Sequence, residues 1–240
     1  MYSSKRAAWT TLKRRERVRV GRSWSATTQP ESLTQSQSNE HESEFAENSQ
    51  TECDFLMRIP SLESERLRLE PLALTDSPGM FRLWREEAVC QYSGNALDAE
   101  GREILLPAQS SDDSDRLIEF WLARAQAGTG FRWALSHEGE FVGAVGFNAL
   151  GACAEYAYHL HPDAWGAGLA MEASGLALSW VFARGAEAAE AFIEPANEAS
   201  IRLVERLGFS AQEIEEGLIR YVLRSQDRGS LAAPLTPGVQ

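Results

Sequence analysis

Leu67 and Leu69 alternate with Arg66, Arg68 and Glu70. This period-2 pattern predicts a strand over residues 65–70 with one face in the core and one in water. Thr75 or Asp76 then caps a helix predicted to run to about residue 87. Pro78 sits in its first turn, and Met80, Phe81, Leu83 and Trp84 form its apolar side. Residues 93–112 hold Gly94, Asn95, Gly101, Pro107 and a Ser/Asp cluster and read as loop. A second helix is predicted over 113–127, with Leu117, Phe120, Trp121 and Ala125 inward and Gly128 and Gly130 ending it.

Three strands follow, over 131–136, 141–149 and 152–161, and their short links predict an antiparallel meander. Alternation in the third sets Glu155, Ala157, His159 and His161 on one face and Tyr156, Tyr158 and Leu160 on the other. Residues 169–184 are apolar all round, which predicts a helix buried on most sides. A strand over 188–194 leads to a short amphipathic helix over 197–207, inward at Ile201, Val204 and Leu207 and ended by Gly208. Strands over 209–214 and 218–224 complete the pattern. Strands and helices mixed in this way predict a mixed α/β (α+β) fold.

The rest of the chain looks different. Residues 1–56 combine a basic start (Lys13, Arg14, Arg15, Arg17, Arg19) with a stretch rich in Ser, Gln, Glu and Asn. Such a segment buries too little apolar surface to offset its ordering entropy, so it is expected to be a disordered extension. Its Arg-rich beginning is also the composition of a targeting segment or a nucleic-acid-binding arm. Met57, directly before the first patterned residues, offers a third account: an over-extended reading frame. The expected organisation is therefore an extension over 1–56, one domain over 57–225 and a loose tail over 226–240.

Charge narrows the partners. Residues 57–240 hold 15 Arg, no Lys and 27 acidic residues, so the whole net charge of −12 lies there. An acidic body disfavours nucleic acid and suits cationic small molecules or basic peptides. No apolar run is long enough to span a bilayer, so no membrane partner is expected. Three cysteines without metal-ligand spacing suit a reducing compartment, and the cytoplasm is the expected location. His159 and His161 share a strand face with no further ligand nearby, so no metal is expected.

The chemistry concentrates after the third strand. His161-Pro162-Asp163-Ala164-Trp165-Gly166-Ala167-Gly168 leads straight into the apolar helix. A strand that runs through a glycine-rich turn into a helix start collects free backbone N–H groups and the positive end of the helix dipole, which suits phosphate. Four stretches then resemble the GNAT acetyltransferase superfamily in its RimJ/RimL-type branch. They are Ser64-Glu65-Arg66-Leu67-Arg68-Leu69; Phe141-Val142-Gly143-Ala144-Val145-Gly146; Trp165-Gly166-Ala167-Gly168-Leu169-Ala170; and Asn197-Glu198-Ala199-Ser200 followed by Arg206-Leu207-Gly208-Phe209. The resemblance implies a mostly antiparallel sheet of six to seven strands flanked by about four helices.

By the same resemblance, Leu160, His161, Trp165, Gly166, Ala167, Gly168, Leu169, Ala170 and Asn197 bind acetyl-CoA as cosubstrate, the glycine turn gripping the pyrophosphate. Many members place a Tyr on the late helix as the acid for the leaving thiolate. Here that position is Val204, and the branch implies Ser200 as its substitute. Glu155 and His159 are both candidates for the base that deprotonates the amine. The implied reaction is direct acetyl transfer to a primary amine, either a protein N-terminal α-amino group or a small amine such as a polyamine, amino acid or aminoglycoside. A non-catalytic CoA-binding module is the remaining alternative, and a homodimer is compatible with each.

Overall fold

The computed structural model describes residues 59–94 and 96–227. The expected extension over 1–56, Met57 and residues 228–240 lie outside them. Among the described residues, no helix is long and apolar enough to cross a membrane, and no group of three His, Cys, Asp or Glu side chains could hold a metal.

In chain order the elements are β1 (Leu62–Glu63), β2 (Leu67–Pro71), α1 (Ser77–Trp84), α2 (Glu87–Cys90), β3 (Ala96–Leu97), β4 (Glu103–Ile104), α3 (Ser111–Gln126), β5 (Phe131–His137), β6 (Glu140–Ala149), β7 (Cys153–Leu160), α4 (Leu169–Ala183), β8 (Ala188–Ile193), α5 (Glu198–Arg206), β9 (Ser210–Glu215) and β10 (Leu218–Arg224). The main sheet has eight strands in the order β1-β2-β5-β6-β7-β8-β10-β9. Every pairing in it is antiparallel except β7 with β8. The fold is the mixed, mostly antiparallel one expected, with one strand and one helix more.

The extra strand is β1, two residues that pair back on Arg68 and Leu69 and are too short to show periodicity. The extra helix arises because the expected single helix over 76–87 breaks after Trp84. The Trp84 carbonyl, which a continuing helix would occupy, instead accepts from the backbone N–H of Ala108 at 2.9 Å and from Cys90 Sγ at 3.2 Å. Glu86 turns extended at φ −77°, ψ 117° and caps α2. The expected loop over 93–112 contains the β3–β4 hairpin. Helix α3 begins two residues early because Asp113 accepts from the backbone N–H groups of Gln109 and Ser110. Its buried residues are Ser114, Leu117 and Ile118, while Phe120 is only half-buried.

Cross-strand register sorts the sheet into two faces. Phe131, Phe147 and Tyr156 are aligned partners, as are Trp133, Val145 and Tyr158. This face packs on α4, where Trp180 meets Phe131 and Trp133 edge-on at 5.2 Å. The opposite face carries Ala134 and Ala144, buried with Met80, Leu83 and Trp84 of α1 and Leu117 and Ile118 of α3. Fully burying each large apolar side chain contributes about 1.5–3 kcal/mol, so each helix layer is fixed by its own apolar cluster.

Candidate active site

Strands β7 and β8 register only at Cys153↔Ala188, Ala154↔Ala189 and Glu155↔Glu190. Beyond that point they part. Residues 156–160 of β7 stay paired to β6 alone, and β8 continues on β10 alone to Ile193. A parallel pair that opens leaves a row of backbone N–H and C=O groups on each edge without ladder partners. The wedge between the strands is lined by groups that need hydrogen bonds.

The open end of β7 runs into the glycine turn. His161 is buried, its backbone N–H donates to the Val142 carbonyl at 2.9 Å, and its Nδ1 accepts from the Asp163 N–H at 3.3 Å. The chain makes one 3-10 turn over Pro162–Ala164. Trp165 is 52% exposed, and its Nε1 donates to the Leu160 carbonyl at 2.8 Å. Gly166 and Gly168 then take φ of +78° and +79°, the left-handed region that side chains disfavour by about 1–2 kcal/mol. Gly168 is the N-cap of α4. Among the described residues, the amides of Gly166, Ala167, Gly168, Leu169 and Ala170 donate to no protein acceptor. Five successive free donors on a helix start form an anion cradle.

The cradle is anchored from the link between β1 and β2. Arg66 donates to the Ala167 carbonyl at 2.9 Å and, through Nε, to Glu172 at 2.8 Å, while Ser64 Oγ bonds the other Glu172 oxygen at 2.5 Å. Burial pulls the Glu172 carboxyl upward, but the Ser64 and Arg66 bonds outweigh it and hold the group below its usual range. The Arg66 and Glu172 side chains therefore tie the opening strand to the first turn of α4. They lie 106 residues apart, and no local signal links them.

Helix α5 closes the other side. Asn197 Oδ1 accepts from the Ser200 N–H at 3.2 Å and caps the helix, the structural role that Asn fills well. The Ser200 hydroxyl is 3.1 Å from the Tyr158 hydroxyl. Tyr158 projects from the part of β7 that has left β8, so this contact crosses the wedge. Burial pushes the Tyr158 phenol above its ordinary pKa, and the Ser200 bond pulls it partly back. Val204 is 1% exposed and offers no proton. Tyr92 Oη donates to the Ala196 carbonyl at 3.1 Å, which ties the start of the loop over 93–111 to the residue before Asn197.

The two base candidates stand on the face away from α4, in different surroundings. Glu155 sits where the strands part. It is 9% exposed and accepts from Asn148 Nδ2 at 2.7 Å. Arg132 bonds Asn148 in turn and stacks on Trp121 with its guanidinium 3.7 Å from the ring centroid. Burial drags the Arg132 pKa down to about 9, opposed by the Glu155 charge, so it remains a cation at neutral pH. His159 lies further along, half-buried, with its ring 4.6 Å from that of Trp84. Burial, helped by Arg132, pushes it down to about 3. It is neutral at physiological pH and a weak proton acceptor.

The sequence pattern gave Tyr158 a strand face and no chemical role. The alternation that put it on the face with Leu160 was a usable signal. Its partner on α5, 42 residues away, was not visible locally.

The acetyltransferase (GNAT) domain model matches residues 66–210, more than half of the chain, and that span holds the wedge, the glycine turn and α5. The chain belongs to the GNAT acetyltransferase family. YoaA of Bacillus subtilis (strain 168), named as an uncharacterized N-acetyltransferase, is 29% identical over 168 residues, covering 68% of this chain and 87% of that protein. Among solved structures, RimL, a ribosomal L7/L12 alpha-N-protein acetyltransferase in complex with coenzyme A, superposes with a TM-score of 0.56 at 19% identity, covering 69% of this chain and 98% of that one. The microcin C7 self-immunity acetyltransferase MccE, in complex with acetyl-CoA and AMP, gives 0.56 at 18%, covering 67% and 93%. At these identities the two structures establish the fold alone. This GNAT protein is an acyltransferase, and its wedge, glycine turn and α5 cap belong to one family domain.

Proposed function

We propose that the protein transfers an acetyl group from acetyl-CoA to a primary amine, and that the amine is the α-amino group of a protein N-terminus. One observation carries the donor half: β7 leaves β8 after Glu155 and delivers its unpaired edge directly into the five free amides of the glycine turn. The amides of residues 166–170 would take the pyrophosphate, and the free backbone groups of residues 156–160 would pair with the amide-bearing arm and polarise the acyl carbonyl. Asn197 keeps its Oδ1 for the helix cap and turns its Nδ2 to the arm. RimL, an α-N-protein acetyltransferase by name, supports the acceptor half by analogy of fold. MccE shares that fold with a different named role, so a small cationic amine is the second reading, and the acidic body suits either.

In the reaction the base withdraws a proton from the ammonium, the amine nitrogen attacks the thioester carbon, and collapse expels a thiolate that Ser200 protonates. Glu155 is the better base, acting through water, because His159 is held too acidic to compete for an amine proton.

The test is a screen of amines with acetyl-CoA, N-terminal peptides against polyamines, amino acids and aminoglycosides, following thiol release. Turnover on peptides above that on small amines supports the first reading. The reverse order selects the second. CoA binding with no turnover on any amine leaves a non-catalytic module. With the best acceptor, Glu155→Gln and Ser200→Ala should each lower kcat about 100-fold with CoA affinity retained.

A further inference from the structure

A serine hydroxyl is a poor source of protons for a thiolate. A thiol has a pKa of about 8.5, and a serine alkoxide is far more basic than a thiolate, so a proton moving from Ser200 alone would leave the stronger base behind. A tyrosine phenol, at about 10, is much closer to the thiol. The late helix supplies no phenol, because Val204 occupies the place and is buried.

The wedge does contain one. Tyr158 lies three residues beyond the last β7–β8 pair, and its hydroxyl is 3.1 Å from Ser200 Oγ. Both groups are held in place. The Ser200 backbone is fixed by Asn197, and the Tyr158 ring stacks on Tyr156 at 6.1 Å with 22° between planes. Tyr156 cannot do the same work, because its own hydroxyl is committed to Ser174 of α4 at 2.5 Å.

We propose that Tyr158 is the proton source behind Ser200, the two hydroxyls forming a relay across the wedge that ends at the departing thiolate. The inference rests on Ser200 as the donor to sulfur. As the C–N bond forms and the C–S bond breaks, the electron pair of the C–S bond passes to sulfur. Ser200 Oγ–H gives its proton to sulfur and takes the Oη–H of Tyr158. The negative charge ends on the phenolate, which water reprotonates after product leaves. The proton shed by the amine departs through the base, so amine and thioester become amide and thiol with nothing left over. Tyr158 acts through Ser200 and is a positioning and relay residue rather than one that touches the reacting atoms. Burial raises its pKa and the Ser200 bond lowers it again in part, so the phenol holds its proton across the neutral range until the relay draws on it.

The test compares Tyr158→Phe, Ser200→Ala and the full chain carrying 3,5-difluorotyrosine at 158, with acetyl-CoA and the best amine of the screen. Tyr158→Phe should lower kcat about 100-fold while CoA affinity changes less than about twofold. The difluorotyrosine protein keeps the hydrogen bond but has a more acidic phenol. Its alkaline limb of kcat should move to lower pH, a change that a brace across the wedge would not produce. If Ser200→Ala is slow while Tyr158→Phe turns over normally, or if the alkaline limb stays put on fluorination, the relay is wrong and the contact only braces the wedge. If Ser200→Ala itself turns over normally, the reading of Ser200 has failed, and the relay falls with it.

Discussion

On the α4 side of β7, Tyr156 and Tyr158 each present a hydroxyl to a serine on a helix, Ser174 on α4 and Ser200 on α5. On the other side, Glu155 sits in a chain of charge that runs through Asn148 to Arg132, and His159 lies against the Trp84 ring. One strand thus carries two kinds of polar environment. Neutral hydroxyl pairs are inexpensive to bury and keep their protons at any physiological pH. The opposite face holds a carboxylate near a buried cation, where removing either group exposes the desolvation cost of the other. The face that suits proton donation and the face that suits proton acceptance are therefore separated by the thickness of the sheet.

The largest break in this comparison should come from Arg132→Met. Arg132 is 5% exposed, and its loss leaves Asn148 Oδ1 without that donor and takes away a cation that interacts with the Glu155 charge. Removing one partner of a buried charge pair costs about 3–5 kcal/mol, read as a lower midpoint in urea. A loss under about 1 kcal/mol would show that the network contributes little to stability.

A smaller effect separates the faces by pH. His159 has a folded pKa of about 3 against an ordinary 6.5. Between those values the unfolded chain binds more protons than the folded one, so stability is complete above about pH 6.5 and is lost as pH falls towards 3. The full shift corresponds to about 5 kcal/mol, and the partial exposure of the ring brings the expected loss to about 2 kcal/mol. Asp98, held ionised by Arg116 and Arg102, loses stability in the same direction, so the measurement is the difference between wild type and His159→Phe. The variant should lack about 2 kcal/mol of the loss seen between pH 7 and 4. Parallel curves would place His159 in water.

How much of this was legible follows from where each contact closes. The period-2 pattern assigned the side chains of residues 155–161 to their faces, and the all-round apolarity of 169–184 marked the buried helix, because both signals lie within one element. The glycine turn was legible for the same reason: φ of +78° and +79° is a demand on the residues themselves. The break after Trp84 was not, since Ala108 and Cys90 make it from outside the helix. Nor was the Arg66–Glu172 anchor or the Tyr158–Ser200 contact. Each joins residues whose own neighbourhoods look ordinary, and only the parting of β7 from β8 brings the second pair together. Asn197 shows the converse: it caps α5, which Asn does well at a helix start, and its part in binding the donor stays with the proposal.

The smallest expected effect is the sharpest control on the relay. Tyr156→Phe removes a hydroxyl from the same face, two residues from Tyr158 and stacked against it. Ser174 keeps its second bond, to the Ala170 carbonyl at 2.5 Å, so no buried group is left without a partner and the cost should be about 0.5–1.5 kcal/mol. Both variants delete one oxygen from a tyrosine of the same stack and loosen it. If the wedge needs only rigidity, the two should slow turnover alike. If the hydroxyl on α5 draws its proton from β7, Tyr156→Phe should lose stability and keep kcat within about twofold, while Tyr158→Phe loses kcat. Equal losses in kcat from both would assign the tyrosine pair to packing.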